Sequence, residues 1–376
     1  MKYADMESRR EMRRAAERET IERHEMNMKK IASLAREADS VRETADNGAL
    51  HIVRQGVFSA GGTVTKPIAG EYNPALTWQD PTMAGNTAHV DHANVFYQIP
   101  AHENGNPMVY LHGHAQSRIC WQCTPDGREG WSDLFLRMGH AAFLVDQPRR
   151  GEAGMTAEMT AGSLDIWPGT NLYKPGDHAM YTHFRIGLAA PERYEGSQFP
   201  AGERALNQFF RQMTPNTGPF DLAVCVSAMG ATLEEVRAMT GNKAIFVTHS
   251  QSGPIGWQAP KENIAAIVAI EPGGMPKADS PAYQSLLNAK IPIAIYFGDY
   301  IDNGPEESMA TGLWRGVRER ARAFAEQFNA DGGDCMVVNL PDEGITGNSH
   351  FLFQELNNAQ IAERVEAWLD ERGLAG

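Results

Sequence analysis

One segment near the middle of the chain constrains the fold more than any other. Residues 244–257 read Ala-Ile-Phe-Val-Thr-His-Ser-Gln-Ser-Gly-Pro-Ile-Gly-Trp: an apolar strand, then small residues, then a segment that can begin a helix. This order predicts a strand, a sharp turn and a helix with Ser250 at the tip, the pattern of a nucleophile elbow. Thr248 and Ser252 stand where that turn usually has glycine. An ordinary strand-to-helix loop is the alternative interpretation of these residues alone.

Apolar runs alternate with helical segments over most of the chain. The runs are continuous, which is typical of strands covered on both faces. Such strands form a mostly parallel sheet with helices on both sides, so we predict an α/β fold. Two β segments, 56–67 and 89–100, come first. The remaining predicted strands are 108–111, 141–145, 244–247, 264–270, 293–297 and 336–340, and the predicted helices are 132–138, 232–239, 313–329 and 360–374.

The sequence predicts a charged arm, an α/β domain and an insertion. Residues 1–45 are dense in Arg, Glu and Lys with a narrow apolar stripe, which indicates a helix across the domain, a helix that pairs with another subunit, or a solvated arm. Residues 46–152 and 221–376 form the α/β domain. The stretch 153–220 exceeds what one crossover needs and is rich in aromatic residues and proline. We interpret it as a lid over the carboxyl ends of the strands, where ligands bind in open α/β sheets.

Composition argues against two classes of partner. A formal net charge of -13 over 376 residues disfavours nucleic-acid binding. No apolar run approaches the roughly 20 residues of a membrane span, and the N-terminus lacks the apolar stretch of a signal peptide. We therefore expect a cytoplasmic protein with no membrane partner, although a removed leader would leave the same N-terminus.

Metal and redox sites have little support in the sequence. Cys120 and Cys123 form a C-x-x-C pair, but the four cysteines contain no second pair at metal-binding spacing. His89, Asp91 and His92 look like ligands, yet successive side chains of a strand point to opposite faces. We expect neither a metal ion nor a cofactor.

A nucleophilic serine needs a base and an acid that orients the base. His350 lies in a loop after the last strand, so it returns to the carboxyl edge of the sheet and follows the serine in chain order. The acid has two candidates. Asp302 follows the strand 293–297, and Glu271 directly follows the strand before it, where a buried carboxylate needs a partner. Strand position alone slightly favours Asp302.

Fixed amide donors must also stabilise the negative charge that forms on a carbonyl oxygen when it is attacked. The backbone N–H groups of Gln251, which follows the serine, and of His114, in the turn after the strand 108–111, are the candidates for this oxyanion hole. Three aromatic residues are candidates for the substrate pocket: Trp257, Trp167 and Phe184.

These residues belong to a wider set of motifs. From about residue 56 to the C-terminus, the motifs resemble in order a small family of bacterial carboxylesterases within the α/β-hydrolase superfamily: His112-Gly113, Thr-Pro-Asp-Gly-Arg-Glu-Gly-Trp at 124–131, Asp146-Gln147, Thr-His-Ser-Gln-Ser-Gly at 248–253, Glu271-Pro-Gly, Phe297-Gly-Asp and Gly347-Asn-Ser-His350. That family has a Ser-His-Glu triad whose glutamate follows strand six instead of strand seven. The resemblance therefore implies Ser250 as nucleophile, His350 as base and Glu271 as acid, in place of Asp302.

Two departures from the family pattern matter. Family members carry adjacent cysteines in the oxyanion turn, where this chain has His114-Ala115. Because the donors are backbone amides, we expect catalysis to survive this change. The arm 1–45 lies outside the resemblance. Family members tend to be dimers, so the arm is a candidate for holding a homodimer together.

The sequence thus predicts a serine hydrolase that cleaves a small-molecule carboxylic ester through an acyl-enzyme. The alternative is a lactonase or a carbon–carbon bond hydrolase that acts on a ring-cleavage product with the same triad. A third reading is a non-catalytic scaffold whose arm binds a partner, which a complete set of nucleophile, base and acid disfavours.

Overall fold

The computed structural model describes residues 48–66, 69–75, 84–85, 87–154, 176–305 and 308–375. The predicted arm 1–45, Trp167 and part of the predicted insertion therefore lie outside the described residues. The chain divides into two compact units, Met1–Val53 and Arg54–Gly376. All side chains discussed below belong to the second unit.

The described residues contain one sheet of eight strands. Its strands are β1 (Ile52–Thr65), β2 (Ala88–Pro100), β3 (Met108–Leu111), β4 (Ala142–Asp146), β5 (Ala244–His249), β6 (Ile264–Ile270), β7 (Ile293–Phe297) and β8 (Cys335–Asn339). They lie in the order β1-β2-β4-β3-β5-β6-β7-β8. β2 pairs antiparallel with β4, and every pairing from β4 through β8 is parallel. The prediction of a mostly parallel α/β sheet is confirmed.

Helices connect the parallel strands. In the described part of the chain they are α1 (Ile119–Gln122), α2 (Trp131–Arg137), α3 (Asp177–His183), α4 (Glu203–Gln212), α5 (Leu222–Thr240), α6 (Gly253–Gln258), α7 (Pro281–Ala289), α8 (Met309–Ala330) and α9 (Asn358–Asp370). Short 3-10 turns lie at Gly151–Ala153, Ser250–Ser252, Leu340–Glu343 and Leu352–Gln354. α3 and α4 belong to the described part of the insertion.

Both faces of the central strands are covered, which explains their continuous apolar runs. Val109 and Leu111 of β3 belong to a core cluster that includes residues of α5 and α8. Tyr110, between them, points to the opposite face because strand side chains alternate. There its ring lies 5.3 Å from that of Trp121 in α1. A strand buried on both sides has no polar face, so alternation is lost from its sequence.

One helix begins well before its predicted start. The prediction covered 232–239, whereas α5 spans Leu222–Thr240. Asp221 caps it, since its side chain accepts hydrogen bonds from the backbone N–H groups of Ala223 (3.0 Å) and Val224 (3.1 Å). The first half of α5 is almost wholly apolar and packs into the core, so it lacks the polar face that marks a helix in a sequence.

Candidate active site

The strand β5 ends in a strained turn that carries Ser250. The serine has φ +53°, a left-handed conformation that is unusual for any residue other than glycine. A 3-10 turn and then α6 follow at once. Ser252 holds the turn, because its hydroxyl accepts from the N–H of His249 (2.8 Å) and donates to the carbonyl of Leu111 in β3 (2.9 Å). The predicted strand, turn and helix are therefore present.

Glycines around the turn allow close contact between three backbone segments. A Cβ on Gly113 would lie 2.9 Å from the Cβ of Ser250, and one on Gly253 would lie 2.5 Å from that of Pro272. Both distances are shorter than real Cβ contacts allow. The turns after β3 and β6 thus pack directly on the serine turn.

His350 and Glu271 form a buried pair. The Nδ1–H of His350 donates to Oε2 of Glu271 over 2.5 Å, and both side chains are fully buried. Within the described residues, the other ring nitrogen, Nε2, is buried and has no hydrogen-bond partner. A carboxylate on Nδ1 fixes the imidazole so that the lone pair of Nε2 is left to accept a proton.

A cation from the insertion holds the other oxygen of the carboxylate. Oε1 of Glu271 accepts from a terminal nitrogen of Arg185, and it also accepts from the backbone N–H of Gly298 (2.8 Å). Arg185 is itself fixed, since its Nε donates to the carbonyl of Asp299 (3.0 Å) and its guanidinium lies 5.4 Å from the ring of Trp314. Glu271 therefore has the partners that a buried carboxylate requires.

The charges in this network determine the protonation states. Burial raises the pKa of Glu271, but the positive charge of Arg185 and the bond to His350 outweigh it and lower that pKa to about 2. Burial lowers the pKa of His350 to about 4, although Glu271 works in the opposite direction. At neutral pH the pair is thus an ionised carboxylate and a neutral imidazole, which is the state that a general base needs.

Contacts on all sides orient the ring of His350. The ring stacks on Phe184 with centroids 5.4 Å apart, and that of Trp314 lies at 4.3 Å. The backbone N–H of His350 donates to the carbonyl of Phe184 (2.9 Å). Glu355, also buried, holds the preceding loop by accepting from the N–H of Ser349 (2.9 Å). The insertion and the loop after β8 therefore fix the ring together.

Asp302 does not take part in this pair. Its side chain is 59 % exposed, and it makes an ion pair with Arg318 of α8, with Oδ1 2.7 Å from Nη2. The preference for Asp302 from strand position alone thus disagrees with the geometry. Glu271 lies at the carboxyl end of β6 with φ +41°, which turns the chain at that end of the strand.

The two predicted oxyanion residues flank the serine turn. Gln251 is the next residue after Ser250, and His114 follows Gly113, whose backbone touches the serine. Both residues are half-buried. The assignment of their N–H groups to an oxyanion hole stays a prediction.

Of the predicted pocket residues, the structure brings Phe184 to His350 but places Trp257 elsewhere. The indole N–H of Trp257 donates to the carbonyl of Gly274 (2.7 Å), and its ring packs on Phe324. It lines a pocket beside Lys261, and Ser250, Glu271 and His350 are not among the residues of that pocket. The bond to Gly274 and the contact with Phe324 hold the indole in that pocket.

Of the residues considered as metal ligands, Asp91 has another partner. Asp91 pairs with Arg149, with Oδ1 2.9 Å from Nε. The described residues include no cluster of three or more His, Cys, Asp or Glu side chains that could hold a metal ion. Cys120 and Cys123 are free thiols, and burial raises the pKa of both.

Sequence reasoning missed Arg185 and Glu355 as parts of the site. Arg185 stands 86 positions before Glu271 in the chain, and nothing in its sequence neighbourhood marks it as buried. Glu355 follows His350 by five residues, in a stretch that also contains the apolar residues 351–353 and Leu356. An acidic residue in such a stretch is the one signal that could have indicated a buried, hydrogen-bonded carboxylate.

The fold and this site together define an α/β-hydrolase. No family model matches the chain. Among solved structures the chain is similar to one described as a novel bacterial esterase: the two are 27% identical with a TM-score of 0.72, and the match covers 88% of this chain and 99% of the other. A probable secreted lipase of a fungal species is 24% identical over 318 residues, or 71% of this chain and 82% of the lipase. The predicted resemblance to bacterial esterases of this superfamily is confirmed.

Proposed function

We propose that this α/β-hydrolase is a carboxylic ester hydrolase that works through Ser250, His350 and Glu271. The hydroxyl oxygen of Ser250 attacks the ester carbonyl while its proton passes to Nε2 of His350. The carbon–oxygen bond to the alcohol then breaks, and the alcohol leaves with that proton. A water molecule, deprotonated by His350, hydrolyses the acyl-enzyme and releases the acid.

The hydrogen bond of 2.5 Å between His350 and Glu271 is the observation that carries this proposal. It gives a buried, neutral imidazole a fixed orientation and leaves Nε2 without a partner among the described residues. In the proposed reaction the hydroxyl of Ser250 becomes that partner, and the following contacts place its turn beside the pair. The carbonyl of Ser250 accepts from the N–H of Gly273 (2.7 Å), two residues after Glu271, and the Nε2 of His249 lies 3.0 Å from the carbonyl oxygen of His350.

The N–H groups of His114 and Gln251 complete the proposal as the oxyanion hole. A backbone N–H is fixed before the reaction, so it stabilises the oxyanion without the cost of reorganisation. The strained turn at Ser250 and the close approach of Gly113 bring these two segments together. The similarity of this chain to a bacterial esterase and to a probable lipase supports ester hydrolysis as the reaction.

An active-site label tests the proposal. The purified protein is incubated with a 4-nitrophenyl alkylphosphonate, digested and mapped by mass spectrometry. We expect one adduct per chain on Ser250 together with loss of 4-nitrophenyl butyrate hydrolysis, and neither in the Ser250→Ala variant. Absence of an adduct on Ser250 would contradict the proposal. A label on Ser250 with turnover of lactones alone, and none of simple esters, would favour the lactonase alternative.

Location and assembly stay predictions. None of the described helices is long and apolar enough to cross a membrane. The fungal lipase is described as secreted, whereas the sequence of this chain led us to expect the cytoplasm. A homodimer held by residues 1–45 also stays a prediction.

A further inference from the structure

Arg150 is a buried cation beside the proposed oxyanion turn. It follows β4 at the carboxyl edge of the sheet, where its N–H donates to the carbonyl of Gln147 (3.0 Å) and its own carbonyl accepts from Ala153 (2.8 Å). The side-chain amide of Gln147 in turn donates to the carbonyl of His112, in the oxyanion turn. The backbone that carries Arg150 is thus fixed against the segment that adjoins Ser250.

The positive charge of Arg150 acts on that turn. Burial lowers the pKa of His114, and the positive charge of Arg150 is the next cause. Burial also lowers the pKa of His112, whereas a hydrogen bond to the carbonyl of Gly113 raises it. The charge of Arg150 lowers this pKa as well. One cation thus acts on both histidines of this turn.

Arg150 lacks the partners that a buried arginine normally has. Its side chain is 1 % exposed, and one terminal nitrogen donates to the carbonyl of Arg149 (3.0 Å). Within the described part of the chain, its Nε and its other terminal nitrogen have no hydrogen-bond partner. Two donors of a buried guanidinium without an acceptor are costly, since each loses its hydration without replacement.

The carboxylates of the neighbouring segments are already occupied. Asp91 binds Arg149 through both oxygens, at 2.9 and 3.2 Å. Asp146 accepts from the backbone N–H groups of Arg118 (2.8 Å) and Glu152 (3.1 Å). Arg149 therefore has a carboxylate partner and Arg150 has none among the described residues. Arg150 is buried at the same edge of the sheet, and no carboxylate of these segments neutralises its charge.

We propose that Arg150 binds a carboxylate carried by the substrate, so that the enzyme prefers esters that bear a second, anionic carboxyl group. This inference rests on the proposed ester hydrolysis and names the class of ester. The two unpartnered N–H donors present the planar fork that binds both oxygens of a carboxylate. The backbone that carries this fork is held through Gln147 against the turn that we assign to the ester carbonyl.

Paired substrates test the inference. The first pair differs on the acyl side: 4-nitrophenyl hydrogen adipate and 4-nitrophenyl hexanoate. The second differs on the alcohol side: 4-carboxyphenyl butyrate and 4-methylphenyl butyrate. For one of the two pairs, acyl or alcohol, we expect Arg150→Met to lower kcat/KM of the anionic ester about 10- to 100-fold. This range corresponds to the free energy of a hydrogen bond to a charged group. Hydrolysis of the neutral ester should change little. Arg150→Lys, which keeps the charge and loses the fork, should lie between.

A binding measurement separates recognition from a structural role. Adipate, which is not hydrolysed, should raise the Tm of the wild type and leave that of Arg150→Met unchanged. In the absence of adipate the Tm of Arg150→Met should equal or exceed that of the wild type, because no carboxylate loses its partner. The control is Arg320→Met, which removes an exposed arginine of α8 and should behave as the wild type in every assay.

The outcomes distinguish this inference from the proposed function. Suppose that the wild type hydrolyses neutral esters, and that Arg150→Met has the same ratio of kcat/KM for anionic over neutral esters as the wild type in both pairs. This result would overturn the inference and leave the proposed ester hydrolase intact. An equal loss on anionic and neutral esters, or a fall in Tm without adipate, would also overturn it, since Arg150 would then support the site. Failure of the wild type on every ester, with no label on Ser250, would remove the proposed function first.

Discussion

Arg185, in the insertion, donates to one oxygen of Glu271, and the other oxygen of Glu271 accepts from His350. All three side chains are fully buried. The segment between β4 and β5 therefore supplies the cation that keeps the carboxylate of Glu271 ionised. Burial alone would raise the pKa of Glu271, and the charge of Arg185 reverses that effect. The proposed triad thus depends on a residue outside it, Arg185.

Removing Arg185 should damage both stability and activity. Arg185→Met leaves a buried carboxylate without its cation, and breaking such a pair costs about 3–5 kcal/mol of unfolding free energy. Chemical denaturation measures this loss. The variant that remains folded should also have a lower kcat with little change in KM, since Glu271 orients the base and does not bind the substrate.

A pH profile separates this positioning role from a simple loss of stability. The charge of Arg185 lowers the pKa of both Glu271 and His350. Without that charge, the acid limb of kcat/KM should move to higher pH in Arg185→Met. Arg185→Lys keeps the charge and should keep the wild-type limb. Identical acid limbs in wild type and Arg185→Met would show that Arg185 is only a packing residue.

The wild-type enzyme should itself remain active in acid. His350 acts as a base only when neutral, so the rate rises as pH rises through its pKa. Because burial lowers that pKa to about 4, the acid limb of kcat/KM should lie near pH 4, well below the ordinary histidine value of 6.5. Stopped assays over pH 3–8 measure this acid limb. They use an ester whose leaving group does not titrate in that range. Circular dichroism at each pH confirms that the protein is folded, and a limb near 6.5 would contradict the burial argument.

Gly113 should tolerate no side chain. In Gly113→Ala the new Cβ would lie 2.9 Å from both the Cβ of Ser250 and Nδ1 of His249, so the serine turn must shift. We expect kcat/KM for 4-nitrophenyl butyrate to fall about 100-fold, the effect of a misplacement of roughly 1 Å. Gly274→Ala is the matched control, because a Cβ there has nothing within 4 Å. Equal activity in both variants would show that the turn is not tightly packed.

The sequence predicted the sheet well because its strands are buried on both faces. The bounds of β3, β6 and β7 agree with the predicted runs 108–111, 264–270 and 293–297. Continuous apolar runs between turn residues leave few other assignments. The predicted start of α5 was wrong for the same reason, because the sequence of a helix buried on most sides is also a continuous apolar run.

The site was predictable where chain order determines it. Ser250 directly follows β5 and His350 lies in the loop after β8, and the resemblance selected Glu271 over Asp302. In the structure Glu271 contacts His350, whereas Asp302 is exposed and pairs with Arg318, and the catalytic role of Glu271 stays a prediction. Arg185 and Arg150 were not predictable, since their importance depends on burial and on which carboxylates lie near them. Those contacts join residues that are far apart in the chain, and a single sequence carries no sign of them.

The position of the acid is the central claim, and one pair of variants tests it most directly. Glu271→Gln preserves the shape of the side chain and removes its charge, so His350 loses its orienting partner and the preferred tautomer. We predict a fall in kcat of about 10⁴-fold for 4-nitrophenyl butyrate, as expected when the acid of such a triad becomes an amide. Asp302→Asn, which changes an exposed side chain, should keep kcat close to that of the wild type. A large loss in Asp302→Asn with little loss in Glu271→Gln would contradict the assignment and place the acid after β7.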